Sequence, residues 1–327
     1  MKKLTPHIVV VIPAYNEPEL MQTLDSLFRC ERGDFCVETL LVINSWQISP
    51  EDAKAFNRSS FQTACDYALR NNTADFYLTP LLIEDLPGHQ TGAGQPRKIG
   101  MDEAITHFAE QNKKDGIIVS LDADTTVEPN YLTEIRSAFR KGKLRSATIR
   151  FHHPVDHLAP DDPLRISTEL YELYLHYYRE ALEYTGFPYA FHTVGSAFAV
   201  TAETYRRVGG MGKQQAGEDF YFLHKVFPLE KTRFIDTTCV YPKARTSDRV
   251  PFGTGPAISK MMEEDVIAKP TYQVAAFDEL RQLFSLVDLF FGASMQSISD
   301  KVLSLPPHLQ YFLKENSFLS KMKEINE

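Results

Sequence analysis

The run Val9-Val10-Val11-Ile12, four β-branched residues with no polar break, constrains this chain more than any other feature. Such side chains favour strands, and a strand without alternation is one buried on both faces, as in a parallel sheet covered by helices. A helix start follows at Asn16-Glu17-Pro18, where Asn16 is expected to cap and Pro18 to sit where no backbone N–H is needed. Leu20, Leu24, Leu27 and Phe28 then form an apolar stripe at helical spacing. The unit recurs. Leu40 to Ile43 predicts a second buried strand ending at Asn44, Asn57 to Asn72 a helix, and Phe76 to Ile83 a third strand. The Gly- and Pro-containing stretch from Leu86 to Lys98 predicts a loop, and Met101, Ala104, Ile105 and Phe108 a helix after it. Ile117 to Leu121 predicts a fourth strand running into Asp122-Ala123-Asp124, and Pro129 a further helix carrying Leu132, Ile135 and Phe139.

Alternating β and α units predict an α/β fold, a mainly parallel sheet flanked by helices, with ligands bound beyond the carboxyl ends of the strands. After Phe151 the pattern changes to an aromatic-rich helix (Ile166 to Tyr184), a strand-like Val194 to Val200, a short helix after Gly217, and a strand-like Phe234 to Tyr241. From Ile258 onward the chain reads as helical. One catalytic domain over residues 1–256 and a helical C-terminal extension over 257–327 is the expected organisation. The Tyr171 to Tyr184 segment can offer rings to a sugar, although a Tyr stripe at helical spacing is more often core.

Charge narrows the function. With 35 Lys+Arg against 43 Asp+Glu, the net charge of −8 argues against wrapping nucleic acid, which needs clustered bases of the opposite sign. Four scattered cysteines (Cys30, Cys36, Cys65, Cys239) make neither a disulfide framework nor a zinc spacing, so reduced thiols in a cytoplasmic protein are expected. The apolar run after Lys2-Lys3 is too short for a signal peptide and is read as a strand. No stretch reaches the roughly 18 apolar residues of a membrane span. Leu283 to Ala293, interrupted by Asp288, predicts a packed helix.

Asp122 and Asp124 are the sharpest chemical signal. Residues i and i+2 of an extended segment point the same way, about 6.6 Å apart, so two carboxylates can share one hard cation such as Mg²⁺ or Mn²⁺. A bare D-x-D is equally an ordinary polar strand end; its position after a buried strand favours the metal. Glu218-Asp219, preceded by Gly217, is either a dipole-stabilised helix start or a general base facing the same pocket. In GHQTGAGQPRK (residues 88–98), Gly92 and Gly94 can admit phosphate oxygens with Arg97 and Lys98 supplying charge, although no P-loop pattern is present. The stretch Arg245 to Gly255 contains Arg245, Arg249 and two glycines, and reads either as a flap that closes over an anion or as a surface loop. The histidines form no HExxH; His152 and His153 are as compatible with a surface turn as with ligands, and His192 and His224 stay open.

Together Val10-Val-Ile-Pro-Ala-Tyr-Asn-Glu17, Asp122-Ala-Asp124 and Gly217-Glu-Asp-Phe220 make residues 7–255 resemble the non-processive family 2 glycosyltransferases of bacterial type. The resemblance implies a GT-A-like, Rossmann-related fold with a nucleotide-sugar half (about 1–150) and an acceptor half (about 151–256). It implies that Pro13, Tyr15 and Glu17 hold the base and ribose of a nucleotide-diphosphate sugar, a UDP-sugar by preference. Asp122 and Asp124 would bind the ribose or sugar and the divalent metal, Asp219 would be the base, and Lys98 with Arg97 would lie near the nucleotide. Asn44 stands where the family often has an aspartate paired with the base; an amide both donates and accepts, a carboxylate only accepts. The Q-x-x-R-W motif and membrane spans of processive members are absent from this sequence, which implies single addition to a hydroxyl acceptor. Inversion by direct displacement is the expected course. A retaining enzyme on the same fold, or a silent nucleotide-binding protein, are the alternatives.

Overall fold

The computed structural model describes residues 4–87, 92–110, 113–212, 217–246, 253–263 and 271–327. Strand β1 (Ile8–Ala14) is buried along its whole length, as its unbroken apolar run requires. It leads through α1 (Leu20–Phe28) to β2 (Val37–Trp46), and through α2 (Glu51–Asn71) to β3 (Phe76–Leu86). Helix α3 (Gly94–Ala109) returns to β4 (Ile117–Ser120), followed by the short β5 (Thr125–Val127), α4 (Tyr131–Gly142) and β6 (Ser146–Phe151). After α5 (Pro163–Tyr184) come β7 (Phe198–Thr201), α6 (Ala202–Arg207), α7 (Glu218–Val226) and β8 (Thr232–Pro242). Helices α8 (Thr254–Glu263), α9 (Val274–Leu286), α10 (Met295–Leu303), α11 (Pro307–Glu315) and α12 (Phe318–Asn326) complete the chain.

The eight strands form one sheet in the order β3-β2-β1-β4-β7-β6-β8-β5. The first four are mutually parallel, with Val11 level with Leu40 of β2 and Ser120 of β4. β7 runs antiparallel to both β4 and β6, and β5 runs antiparallel to β8. The expected parallel sheet therefore occupies one half, and the other half is mixed. The chain winds outward from β1 through β2 to β3, then crosses back to place β4 on the other side of β1. That reversal makes the carboxyl ends of β1 and β4 the switch point at which open α/β sheets bind ligands.

Two local expectations are corrected. Helix α1 begins at Leu20, not at Asn16, and has no side-chain cap. Asn16 instead takes a left-handed conformation (φ 47°), which Asn tolerates, and its amide donates to Asn57 Oδ1 at 2.8 Å. The expected loop to Lys98 ends earlier: α3 starts at Gly94, so Arg97 and Lys98 stand on a helix.

The chain divides into two compact units, Met1–Tyr171 with Thr193–Ile267, and Glu172–His192 with Ala268–Glu327. The first holds the sheet. The second has its own apolar core, including Phe290, Ile298, Val302, Leu305, Leu309 and Met322. Within it the tyrosines of α5 serve as packing and tethers: Tyr177 Oη donates to the Tyr272 carbonyl and Tyr184 Oη to Asp278 Oδ1, each at 2.8 Å. Among the described residues no helix is long and apolar enough to cross a membrane. The four cysteines are free thiols.

Candidate active site

Three parallel strands deliver residues to one cavity of about 340 Å³ beyond their carboxyl ends. β1 supplies Pro13 and Ala14 and, just past its end, Tyr15 and Glu17; β2 supplies Asn44 and Trp46; the segment after β4 supplies Asp122, Ala123 and Asp124. The Tyr15 and Trp46 rings meet edge to face, 5.1 Å between centroids. Gly92 and Ala93 bring the start of α3 to the same wall, the end of a helix at which anions are favoured. The D-A-D segment is held from both sides. Thr23 Oγ1 of α1 donates to the Ala123 carbonyl at 2.8 Å, and the Lys243 amide donates to the Asp124 carbonyl at 3.2 Å. The second contact follows from register: β5 pairs with β8 up to Thr125 opposite Pro242, so the residues after β8 pass directly by Asp124.

That segment brings in charge. Arg245 Nη2 lies 2.8 Å from Glu17 Oε2 and 2.6 Å from Asp124 Oδ2, and Lys243 pairs with Glu19 next to them. Burial pushes the Asp124 carboxyl up to about 6; the Arg245 charge pulls it down, while Asp122 and Glu17 push it further up. Burial works against the charge of Arg245, and Asp124 and Glu17 more than offset it, so the guanidinium is held above its ordinary pKa. Among the described residues no three His, Cys, Asp or Glu side chains cluster as a ready-made metal site. The donor set nonetheless fits Mg²⁺ or Mn²⁺. Asp122, Asp124 and Glu17 present only oxygens to the cavity, and two of these carboxylates already converge on one cationic nitrogen, a stand-in for an ion.

A second, buried charge cluster borders the first. Arg97, on the first turns of α3, pairs with Asp122 Oδ1 at 2.5 Å and with Glu218. Burial opposes its charge, and Asp122, Glu218 and Asp219 outweigh burial, so Arg97 stays protonated. Glu218 and Asp219 open α7, after Gly217 in the left-handed region (φ 68°) where glycine is favoured. Asp219 Oδ1 accepts the Phe220 amide at 2.7 Å. Burial and the neighbouring Glu218 push the Asp219 carboxyl up to about 6, against the pull of Arg97. Gly195, whose carbonyl accepts Ser120 Oγ at 2.7 Å, lines this cluster closely. A Cβ there would meet Arg97 Nη2 at 2.9 Å and Asp219 Oδ2 at 3.1 Å.

Of the residues singled out in the sequence, Pro13, Tyr15, Glu17, Asn44, Asp122, Asp124 and Arg245 share the cavity. Arg97 and Asp219 lie in the adjoining cluster, and there Arg97 meets carboxylates rather than open space. Lys98 pairs with Asp102 one turn along α3, at 2.6 Å, and does not line the cavity. Arg249 lies outside the described residues. Three positions escaped sequence reasoning: Trp46, Glu218 as the partner of Arg97, and Gly195. Trp46 had a signal, being the sole tryptophan and two residues beyond Asn44 on the same strand; the other two have meaning only through contacts far along the chain.

The fold class defined by this sheet and its flanking helices is mixed α/β and GT-A-like. Among solved structures, S. aureus TarS 1-349 in complex with UDP-GlcNAc aligns with 100% of this chain and 88% of its own, at 12% identity and TM-score 0.51. The same TarS fragment in complex with UDP aligns over 100% and 88%, at 11% identity and TM-score 0.48. The mannosyltransferase PcManGT from Pyrobaculum calidifontis, in complex with GDP-Man and Mn²⁺, aligns over 99% and 87%, at 13% identity and TM-score 0.46. The first of these likenesses carries the assignment, and it is one of fold. No protein-family model matches the chain, and a search of curated proteins found no match.

Proposed function

We propose that this chain is a glycosyltransferase that moves a sugar from a nucleotide-diphosphate sugar, a UDP-sugar by preference, to an acceptor hydroxyl with inversion. The observation that carries the proposal is the juxtaposition of two sites. A cavity with a Tyr15–Trp46 aromatic wall and the Glu17, Asp122 and Asp124 carboxylates adjoins a half-buried carboxyl, Asp219, pushed up to about 6. The UDP-GlcNAc bound by the similarly folded TarS fragment supports the donor class. Family 2 membership rests on the three motifs.

The aromatic wall takes the base, and Glu17 the ribose. Asn44 supports a uracil: both of its side-chain amide atoms are buried without a hydrogen-bond partner, and an N3–H beside a carbonyl satisfies both. Asp122 and Asp124 would hold Mg²⁺ or Mn²⁺, which when bound offsets the charge of the departing diphosphate. Asp219 accepts the proton of the acceptor hydroxyl as that oxygen bonds to the anomeric carbon. The bond from that carbon to the diphosphate oxygen breaks, and the nucleoside diphosphate leaves. Arg97 keeps Asp122 and Glu218 fixed around the reacting centre. Donor recognition is assigned to residues 1–150, acceptor recognition to 151–256, with 257–327 an appended helical region.

The test is Asp219→Asn, which keeps the shape and the Phe220 contact but loses the base. Turnover, read as nucleoside diphosphate released from a panel of sugar nucleotides with Mn²⁺, is expected to fall about 10²–10⁴-fold. Donor binding should be retained. Near wild-type turnover would remove Asp219 from the mechanism, and loss of donor binding would move it to the donor site. NMR of the product reads inversion or retention.

A further inference from the structure

Among the described residues lining the donor cavity Arg245 is the only basic one, and the nearby Arg97 is committed to Asp122 and Glu218. A single one of its nitrogens sits between Glu17 and Asp124. A divalent cation on the same Asp124 oxygen would stand about 2.1 Å from it. The guanidinium nitrogen already lies 2.6 Å from that oxygen. A divalent cation there would share one oxygen with the guanidinium and be repelled by its charge, so the two compete for Asp124. Arg245 is also able to leave: it follows the last paired residue of β8, Pro242, and its side chain is 31% exposed. Phosphate oxygens match the guanidinium fork at least as well as separate carboxylates do.

We propose that Arg245 is the resident cation of the donor cavity, holding Glu17 and Asp124 until a nucleoside diphosphate draws its guanidinium away, so that Arg245 and a divalent metal compete for Asp124. The inference rests on the donor reading above and adds its order of events. Metal binds the free protein weakly, the diphosphate removes the competitor, and metal and diphosphate bind synergistically. Lys243 on Glu19 is a second ion pair on the same segment, outside the cavity, and provides the control.

The experiment is a Mn²⁺ titration of the full chain without nucleotide, read by paramagnetic quenching of Trp46, the sole tryptophan and a cavity-lining residue. Arg245→Gln is expected to bind Mn²⁺ about tenfold more tightly than wild type, from the loss of one competing charge at the site. Arg245→Lys should stay near wild type, Lys243→Gln should change affinity by less than about twofold, and Asp124→Asn should lose the quenching. Adding UDP should tighten Mn²⁺ binding more in wild type than in Arg245→Gln. Unchanged or weaker Mn²⁺ binding by Arg245→Gln, with Asp124→Asn still defective, overturns the competition and leaves the metal reading standing. Equal tightening by Lys243→Gln also overturns it, because the effect is then a general field. Quenching that survives Asp124→Asn, or none in any protein, overturns both readings together.

Discussion

A desolvated carboxyl kept for chemistry is expensive for the fold, and the half-buried Asp219 allows that cost to be measured. Its pKa is pushed from 3.8 to about 6, chiefly by burial. Between those values the folded protein holds a proton that the unfolded chain has lost, so stability falls as pH rises through this window. The full cost is reached above about pH 6. About two pKa units correspond to about 2–3 kcal/mol. Asp219→Asn should therefore melt at a higher temperature than wild type at pH 8, with the difference shrinking towards zero by pH 4. Thermal denaturation across that range checks the sign, and a variant no more stable than wild type at pH 8 would mean that the ionised carboxylate is well solvated. The same carboxyl acting as base should make turnover fall below about pH 6. Asn44 makes the opposite trade, with two buried polar atoms left unpaired until a ligand arrives. Asn44→Asp keeps the size and loses the donor, so UDP binding should weaken about tenfold or more. GDP should lose less, because guanine presents two adjacent donors to a carboxylate. Nucleotide titrations followed by Trp46 fluorescence separate the two, and equal losses for both nucleotides would remove Asn44 from base recognition.

At the scale of elements, the site depends on how closely α3 lies on the sheet. Gly100 faces β1 and β2, where an added Cβ would meet Val11 Cγ1 at 2.5 Å and Val42 Cγ2 at 3.0 Å. Both neighbours are stiff β-branched residues in fully buried strands, so they cannot turn aside cheaply. Gly100→Ala should cost about 1–3 kcal/mol despite the better helix propensity of alanine. It should also move Arg97, one turn earlier on the same helix, and so impair turnover beyond the stability loss. An unchanged melting temperature would show that α3 can back away from the sheet. The strands legible in the sequence are β1, β2, β3, β4, β7 and β8: β1, β2 and β4 carry unbroken buried apolar runs, and β3, β7 and β8 carry enough β-branched and aromatic residues to be read as strands. β5 and β6 were not, because Thr125–Val127 is three residues long and Ser146–Phe151 contains Arg150 and Ser146. Their identity comes from pairing with β8, more than 80 residues further on. The start of α1, at Leu20 rather than Asn16, also depends on a contact far along the chain. Asn16 sits in a left-handed turn before the helix, its backbone amide donating to Asn57 Oδ1 of α2, 41 positions away, and the helix starts only after Glu19. Pro13, Tyr15, Glu17, Asn44, Asp122 and Asp124 are readable because each ends or closely follows a readable strand, whereas Trp46 is not singled out and the Arg97–Glu218 pair spans 121 positions and leaves no local trace.

The two units illustrate the same limit for the whole molecule. Residues 172–192 join residues 268–327 through contacts such as Tyr177 with Tyr272 and Tyr184 with Asp278, across an intervening stretch that belongs to the other unit. No composition change marks either crossing, and α5 passes from one unit into the next within a single helix. What separates the units is where the apolar side chains meet. Phe290 is almost fully buried, packs edge to face on Phe318 at 5.3 Å, and sits among residues drawn only from the second unit. Its carbonyl accepts Asn326 Nδ2 at 2.9 Å, tying the last helix to the same core. Phe290→Ala removes the largest fully buried side chain of that core and leaves a cavity, at a cost of about 3–5 kcal/mol. Units with separate cores open separately. The loss should therefore appear as faster amide exchange over α10, α11 and α12, while β1, β2 and β4 keep their protection and Mn²⁺ still quenches Trp46. Exchange rising equally across the sheet would mean that the molecule opens as one cooperative body, with the stability of the donor cavity drawn from both cores.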